Sequence, residues 1–469
     1  MGLGVSFIVV VVLSRLLTPE EIGIFSVSAV VVALVQTLRD FGVGTYVIQE
    51  KDLTEARVRT AYGVSLAISW LIAALLVLSS PFVAAFYDEP DMQGVLCVLA
   101  IGPLLIPFAA LAQSFLQREM QFGQLTKVGL TGSLVQAATT LTLAYAGASY
   151  YSMAWGSVAG NLATIVALLL VKARYVFLIP SFSEWRSVVS FGSIVSLTQI
   201  ISRLGRMAPD LIMGRTLGFS AVGFYSRGNG LPKMFAEGVE AAVRPVLLPA
   251  FAQQHRQHAD LKTGYLHGLS LLTALAWPFY AVAGLMAGPV IGALYGDQWG
   301  PAVPVAQILC VSAAIYALFT FGGPALVAMG RVTQVLWTNV IVQSCRIALV
   351  AVAAFYSMEW VAGAQILTNV IGFAVIHYFL AQAIGLTLTD VAVSVWQSAG
   401  VALAALAWPL FVVAQLDLTT TSVWIQLLIA GAGAGPAWLA AIFALNHPIK
   451  QELMRILRQM NLAIAQGKG

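Results

Sequence analysis

Apolar runs bounded by charges and by Gly and Pro clusters recur along this chain from its first residues almost to its last. They fall at about 1–14, 22–38, 61–80, 93–113, 125–147, 152–172, 188–215, 221–245, 266–294, 302–328, 332–357, 360–384, 390–415 and 422–444. A spanning helix needs roughly 20 apolar residues, and most of these runs reach that length. They are continuously apolar, whereas a membrane barrel needs alternating segments of roughly 10 residues. The pattern therefore predicts an all-α polytopic membrane protein of about fourteen transmembrane helices, the seventh and eighth being the least sharply bounded. Composition agrees: of 469 residues, 59% are hydrophobic and 9% charged, against about a quarter charged in soluble domains. The segment Gly2–Leu13 has no basic n-region and no small-residue cleavage site, so it reads as a mature first helix, short at its start. Met1 to Ser6 formally fits a myristoylation pattern, but the segment is apolar enough to insert unaided.

Most of the 24 basic residues follow even-numbered spans: Arg39, Lys51, Arg57 and Arg59, then Arg118 and Lys127, then Lys172, Arg174 and Arg186, then Arg244, Arg256 and Lys262, then Arg331. The tail adds Lys450, Arg455, Arg458 and Lys468, while the opposite loops carry acids such as Asp88, Glu89, Asp91, Asp297, Glu359 and Asp417. By the positive-inside rule both termini are cytoplasmic and the number of spans is even. Cys97, Cys310 and Cys345 lie inside apolar runs without redox or metal spacing, and His255-x-x-His258 has no companion ligands. No metal, cofactor or nucleic-acid partner is expected, and no P-loop, nucleophile elbow or dinucleotide fingerprint is present.

The chain also resembles itself. Ser14-Arg15-Leu16-Leu17-Thr18-Pro19-Glu20-Glu21-Ile22-Gly23-Ile24-Phe25-Ser26 aligns with Gly214 to Ser226 at an offset of 200, repeating Arg, Leu, Gly and Ser. Val83 to Glu89 parallels Ile291 to Asp297 at an offset of 208. Six spans separate the copies, as in parallel repeats related by an axis along the membrane normal. The expected organisation is a lobe over 1–187, a second over 188–384, two further helices over 385–446 and a cytoplasmic tail over 447–469. Ile449, Leu453, Ile456, Leu457, Met460 and Ile464 share one face of that tail, which suits an interfacial helix on anionic phospholipid. Gly156-x-x-x-Gly160 and Gly284-x-x-x-Gly288-x-x-x-Gly292 place small residues on single helix faces for close packing. Pro103, Pro107, Pro232, Pro278 and Pro289 predict bends within spans.

Charges inside the spans carry the functional argument. Arg203, Arg206 and Asp210 share one face of the seventh span, with Arg203 about 22 Å from its start. The eighth holds Arg227, Lys233, Glu237 and Glu240 around a Gly228-Asn229-Gly230-Leu231-Pro232 interruption, and Arg346 lies near the centre of the eleventh. Each mid-bilayer base costs about 2.5–3.5 kcal/mol on insertion scales. Arg206 with Asp210, and Lys233 with Glu237, are spaced to neutralise each other locally; neither Arg203 nor Arg346 has an acid within one turn of its own helix. Arg203, Arg206, Arg227, Lys233 and Arg346 together outnumber the acids and form a candidate cationic cavity for an anionic substrate. Asp210, Glu237, Glu240 and Asp40 are candidate acids for coupling to a proton or sodium gradient.

Leu17-Thr18-Pro19-Glu20-Glu21-Ile22-Gly23, followed by Asp40-Phe41-Gly42 and Val47-Ile48-Gln49, resembles the opening signature of Wzx-type polysaccharide flippases, in the multidrug/oligosaccharidyl-lipid/polysaccharide exporter superfamily. Leu116 to Phe122, Arg244 to Phe251, and Tyr295-Gly296-Asp297-Gln298-Trp299 running into Pro304 match as well, so the resemblance covers essentially the whole chain. It implies two six-helix lobes plus two trailing helices. It further implies export of undecaprenyl-diphosphate-linked oligosaccharides across the bacterial inner membrane by alternating access, for capsule, exopolysaccharide or O-antigen synthesis, alongside polymerase and chain-length partners. Such proteins usually begin with a further short cytoplasmic stretch, whereas this chain opens within its first helix. Two alternatives stay open: a multidrug antiporter of the same superfamily, whose cavity should be acidic, and a membrane glycosyltransferase or ligase, which would need catalytic acids on a sizeable loop.

Overall fold

A computed structural model describes residues 2–39, 43–50, 53–172, 175–182, 185–257, 259–415 and 422–455. Among them every regular element is helical, and twenty α-helices follow in order: α1 Gly2–Leu16, α2 Pro19–Arg39, α3 Val43–Gln49, α4 Glu55–Tyr87, α5 Asp91–Leu99, α6 Ile101–Arg118, α7 Phe122–Tyr145, α8 Tyr151–Lys172, α9 Trp185–Thr216, α10 Phe219–Gly228, α11 Gly230–Phe235, α12 Ala241–Arg256, α13 Leu261–Leu285, α14 Ala287–Tyr295, α15 Ala302–Ala317, α16 Gly322–Ala328, α17 Val332–Ala353, α18 Met358–Ile384, α19 Leu388–Gln415 and α20 Val423–Ala444. Among the described residues ten helical stretches are long and apolar enough to cross a membrane, which is compatible with the fourteen spans expected. Large apolar side chains stand open along them, Leu78 at 69% and Phe82 at 76% exposure on α4, as lipid-facing residues do. Exposed Tyr145, Phe355, Tyr356 and Trp360 cluster at helix ends, in keeping with an interfacial aromatic belt.

Four expected spans are each broken. Run 93–113 divides into α5 and α6, 266–294 into α13 and α14, and 302–328 into α15 and α16; 221–245 passes through α10, α11, a π-helical turn at Ala236–Glu240 and the start of α12. At each break the new helix carries Pro as its third residue: Pro103, Pro232, Pro289 and Pro324. A first-turn N–H has no intrahelical acceptor, so Pro costs nothing there and stops the preceding helix from running on. The turn at Met286 also separates Gly284 from Gly288 and Gly292, so these three do not share one continuous helix as expected. Gly156 and Gly160 do form a close packing face: added Cβ atoms would lie 1.8 Å from Thr140 Oγ1 and 2.8 Å from Gln136 Cβ, both on α7.

Helix starts are set locally. Thr18 and Glu21 form a capping box on α2, with the Thr18 N–H donating to Glu21 Oε2 at 2.7 Å and the Glu21 N–H to Thr18 Oγ1 at 3.3 Å, and Pro19 takes the first helical position. Thr387 and Asp390 repeat the box on α19. Asp260 caps α13 by accepting the Lys262 N–H, and its bond from the Thr263 hydroxyl holds its carboxyl below the ordinary carboxylate range. α4 starts at Glu55, ahead of its apolar run, because Thr54 caps it. Within helices, Ser114, Thr131, Thr164, Thr338 and Thr368 donate to carbonyls one turn back, which satisfies hydroxyls that lipid could not.

Contacts divide the chain into two compact units, Met1–Ser226 with Val350–Met358, and Arg227–Leu349 with Glu359–Gly469. The residue 187 boundary belongs to the sequence repeat; contacts draw their line later, keeping α9 and most of α10 with the first unit. Each unit carries the repeat in its backbone. Met120 and Gly330, 210 residues apart, both take positive φ (56° and 76°), and the next residue donates to Leu116 O in one copy and Leu326 O in the other. The first unit also joins the two copies of the opening motif. Gly23 of α2 lies against the backbone of Phe219, where an added Cβ would sit 1.9 Å from its carbonyl oxygen; Gly223 of α10 lies against Pro19, at 2.0 Å from that oxygen. Each repeated glycine thus meets the first helical residue of the other copy.

In the second unit, α13, α19 and the turn after α20 are joined by a buried polar cluster. His447, 1% exposed, accepts the Ile449 N–H on Nδ1 at 3.2 Å, so its proton lies on Nε2, which faces Ser398 Oγ at 3.0 Å and Ser270 Oγ at 3.3 Å. Thr273 Oγ1 donates to Ser398 Oγ at 2.9 Å and Ser398 Oγ to Ser270 O at 3.3 Å. Ala274, Val401, Ala441, Ile442 and Ile449 close an apolar core around it. Of the tail expected over 447–469, residues 456–469 lie outside the described residues.

Alanine at Gly23 or Gly223 would drive a methyl group into backbone, and overpacking of this kind costs about 1–3 kcal/mol. Thermal unfolding of the purified protein should show both variants destabilised and Gly129→Ala as stable as the unaltered protein or slightly more so, since nothing lies within 4 Å of an added Cβ at Gly129 in the interior of α7. Burial, with His267 adding to it, lowers the His447 pKa. The native state therefore holds this ring neutral, and its contribution to stability is present above the ordinary value of about 6.5 and lost as pH falls below it. The melting temperature should fall between about pH 7.5 and about pH 5.5, and fall less in His447→Gln; equal falls would contradict this reading.

Candidate functional site

The in-span charges occupy different settings. On α9, Arg203 is half-buried, Arg206 exposed and Asp210 half-buried, all on one helical face, with Arg203 about 20 Å before the helix end. Pro209 interrupts the α9 ladder beside Asp210. All three charged groups are engaged in polar or electrostatic contacts. On α17, Arg346 is half-buried and donates from Nη1 to Gln343 Oε1 at 3.1 Å. Gln343, 6% exposed, follows Asn339 by four residues and precedes Arg346 by three, giving α17 one polar face in an apolar helix. Sequence reading missed Gln343 as the group that orients this guanidinium; its spacing was the available signal.

The π-helical turn organises the charges of the second unit. Lys233 Nζ lies 3.4 Å from Glu237 Oε1, with side chains 64% and 48% exposed. An added Cβ on Gly238 would meet nothing within 4 Å, so this face is open. Glu240 lies three residues beyond Glu237 on the closed side, 3% exposed. Arg227 is set apart from the open face. It is 8% exposed, and its guanidinium carbon sits 5.8 Å from the Tyr295 ring centroid and 5.4 Å from that of Trp299. Trp299 is fully buried, and the two rings meet edge to face. This cation–π enclosure ties the Tyr295-Gly296-Asp297-Gln298-Trp299 stretch to the arginine at the α10–α11 break. Asp40 lies outside the described residues.

Arg215, in the last turn of α9, pairs with Asp88 at 3.0 Å and lies over the Phe86 ring at 5.7 Å. Among the described residues no cluster of three or more His, Cys, Asp or Glu could hold a metal ion. Guanidinium and ammonium groups in an apolar surround offer charge-assisted, forked hydrogen bonds to phosphate oxygens.

The sequence matches the polysaccharide biosynthesis protein family over residues 12–304, more than half of the chain, and the chain belongs to that family. Teichuronic acid biosynthesis protein TuaB of Bacillus subtilis is 24% identical over 76% of this chain and 74% of its own length. Lipopolysaccharide biosynthesis protein WzxC of Escherichia coli is 23% identical over 70% and 68%. Succinoglycan biosynthesis transport protein ExoT of Rhizobium meliloti is 26% identical over 71% and 68%. Among solved structures, the lipid II flippase MurJ in an inward closed conformation superposes with a TM-score of 0.74, covering 97% of this chain and 98% of that one at 13% identity. An inward-facing multidrug resistance MATE family transporter of the MOP superfamily gives 0.64, covering 82% and 95% at 15% identity. The fold is thus the one these multi-pass membrane proteins share.

Proposed function

We propose that this chain is a flippase that carries undecaprenyl-diphosphate-linked oligosaccharide repeat units across the bacterial inner membrane by alternating access, for exopolysaccharide, capsule or O-antigen synthesis. The observation that carries the proposal is family membership joined to a fold shared, over 97% of the chain, with a lipid-linked-precursor flippase. Relatives named for teichuronic acid, lipopolysaccharide and succinoglycan synthesis support polysaccharide precursors as the substrate class.

The headgroup brings a diphosphate through a medium that rejects charge, so the pathway must supply cations and water. Arg203, Arg206, Lys233 and Arg346 are the bases we assign to it. Exposure of Arg206 and Lys233 supports that assignment, because open charges at this depth are costly against lipid. Arg227, held between two rings, is better suited to fixing the α10–α11 break than to meeting substrate. The lobes are the repeat copies 1–187 and 188–384, with 385–446 as an added helix pair. Both termini face the cytoplasm, the tail rests on anionic phospholipid, and polymerase and chain-length proteins take the product.

In proteoliposomes holding an undecaprenyl-diphosphate oligosaccharide, the protein should accelerate exposure of the glycan to an external lectin. A hydrogen bond to a charged group is worth about 1.5–3 kcal/mol, so Arg203→Ala and Arg346→Ala should each slow flipping roughly 10- to 150-fold while leaving membrane insertion unchanged. Full activity in both variants would overturn the cationic pathway.

A further inference from the structure

We infer that the irregular segment 175–182, which leads from the first repeat copy towards the second, is a membrane anchor. It lies at the leaflet on the side of the basic loops and buries Phe177, Ile179 and Phe182 in its lipid.

The segment is fastened to the first copy at every step. Tyr175 stacks on Phe115 of α6 with ring centroids 3.8 Å apart, and Val176 is fully buried in a core built from α6, α7 and α8. The hydroxyl of Tyr62 is hydrogen-bonded to the backbone of Leu178, Arg59 Nε donates to Ile179 O at 2.9 Å, and the Ser181 N–H donates to Arg59 O at 3.1 Å. An added Cβ on Gly63 would lie 2.5 Å from Ser181 O, so only glycine lets α4 approach the segment this closely. Irregular backbone whose polar groups are taken up by neighbouring helices suits a place where water is scarce.

The surface it crosses is the one that faces lipid. Arg59 and Gly63 share a face of α4 with Ala67, Trp70 and Leu78, which are exposed further along the same stripe. On α6, Phe108 meets the Phe177 ring at 5.3 Å and lies one turn beyond exposed Leu104, whose carbonyl accepts the Trp70 indole N–H. The segment therefore continues the apolar stripe of both helices at their basic-loop ends. Its outer side is open and large: Phe177 is 61% exposed, Ile179 72% and Phe182 53%.

Charge identifies the occupant as lipid. Residues 175–182 carry no charge, whereas Lys172, Arg174 and Arg186 flank them in sequence against one acid, Glu184. Apolar side chains bracketed by bases match the boundary between acyl chains and anionic headgroups. The connection between the copies is thus held to lipid and to the first copy as far as Phe182.

The test places a bimane label on a single cysteine at Ile179, with Cys97, Cys310 and Cys345 replaced by alanine, in lipid nanodiscs. A phospholipid bearing a nitroxide near the head of its acyl chain should quench the label as strongly as it quenches one at Phe82→Cys on the lipid-facing side of α4. Aqueous iodide should lose most of the quenching it gives with free bimane-labelled cysteine. In the unaltered protein, phosphatidylglycerol with a diazirine near the head of its acyl chain should leave adducts on 175–182, a readout that needs no substitution. Iodide quenching equal to that of the free adduct would place the segment in water. Quenching by neither agent would place it under protein, a second copy or a partner. Adducts along α4 with none on 175–182 would remove the lipid contact. Each of these three results would overturn the inference.

Discussion

The structure is governed by the cost of placing charge and unsatisfied backbone in hydrocarbon. That cost makes every described element a helix, turns hydroxyls back onto their own carbonyls, and leaves broken backbone only in a few places. It also gives the in-span charges their meaning, since each must be enclosed, paired or wet. Arg227 is enclosed by rings, Lys233 and Glu237 are paired in the open, and Glu240 is buried.

Much of the fold was legible in sequence because the deciding signals are local. A run of apolar residues announces a span, and Thr18-Pro19-Glu20-Glu21 announces a helix start by cap, fixed φ and reciprocal hydrogen bond. The duplication was legible too, through polar and glycine positions that held register. The broken spans were legible only in part: Pro103, Pro232 and Pro289 announced bends, but counting apolar residues is blind to backbone conformation, so neither full breaks nor the one at Pro324 followed from it.

The candidate site was legible by residue type and much less by setting. Arg203, Arg206, Lys233 and Arg346 could be picked out because charge inside an apolar run is conspicuous. The rings enclosing Arg227 lie about 70 residues away along the chain, beyond any helical periodicity. The burial of Glu240 beside an exposed Glu237 depends on a π turn, which no spacing rule foretells. The Gly23–Gly223 crossing adds a further lesson: the glycines that revealed the repeat are the ones that let its copies touch.

The most direct test of the account asks whether the in-span bases meet water. With Cys97, Cys310 and Cys345 replaced by alanine, single cysteines at Arg206, Lys233 and the lipid-facing Leu75 would be exposed in intact membranes to a water-soluble maleimide. The account predicts labelling at 206 and 233 and none at 75. Positions 206 and 233 as inert as 75 would place these charges against lipid or sealed protein, and would contradict a wet, cationic pathway through the membrane.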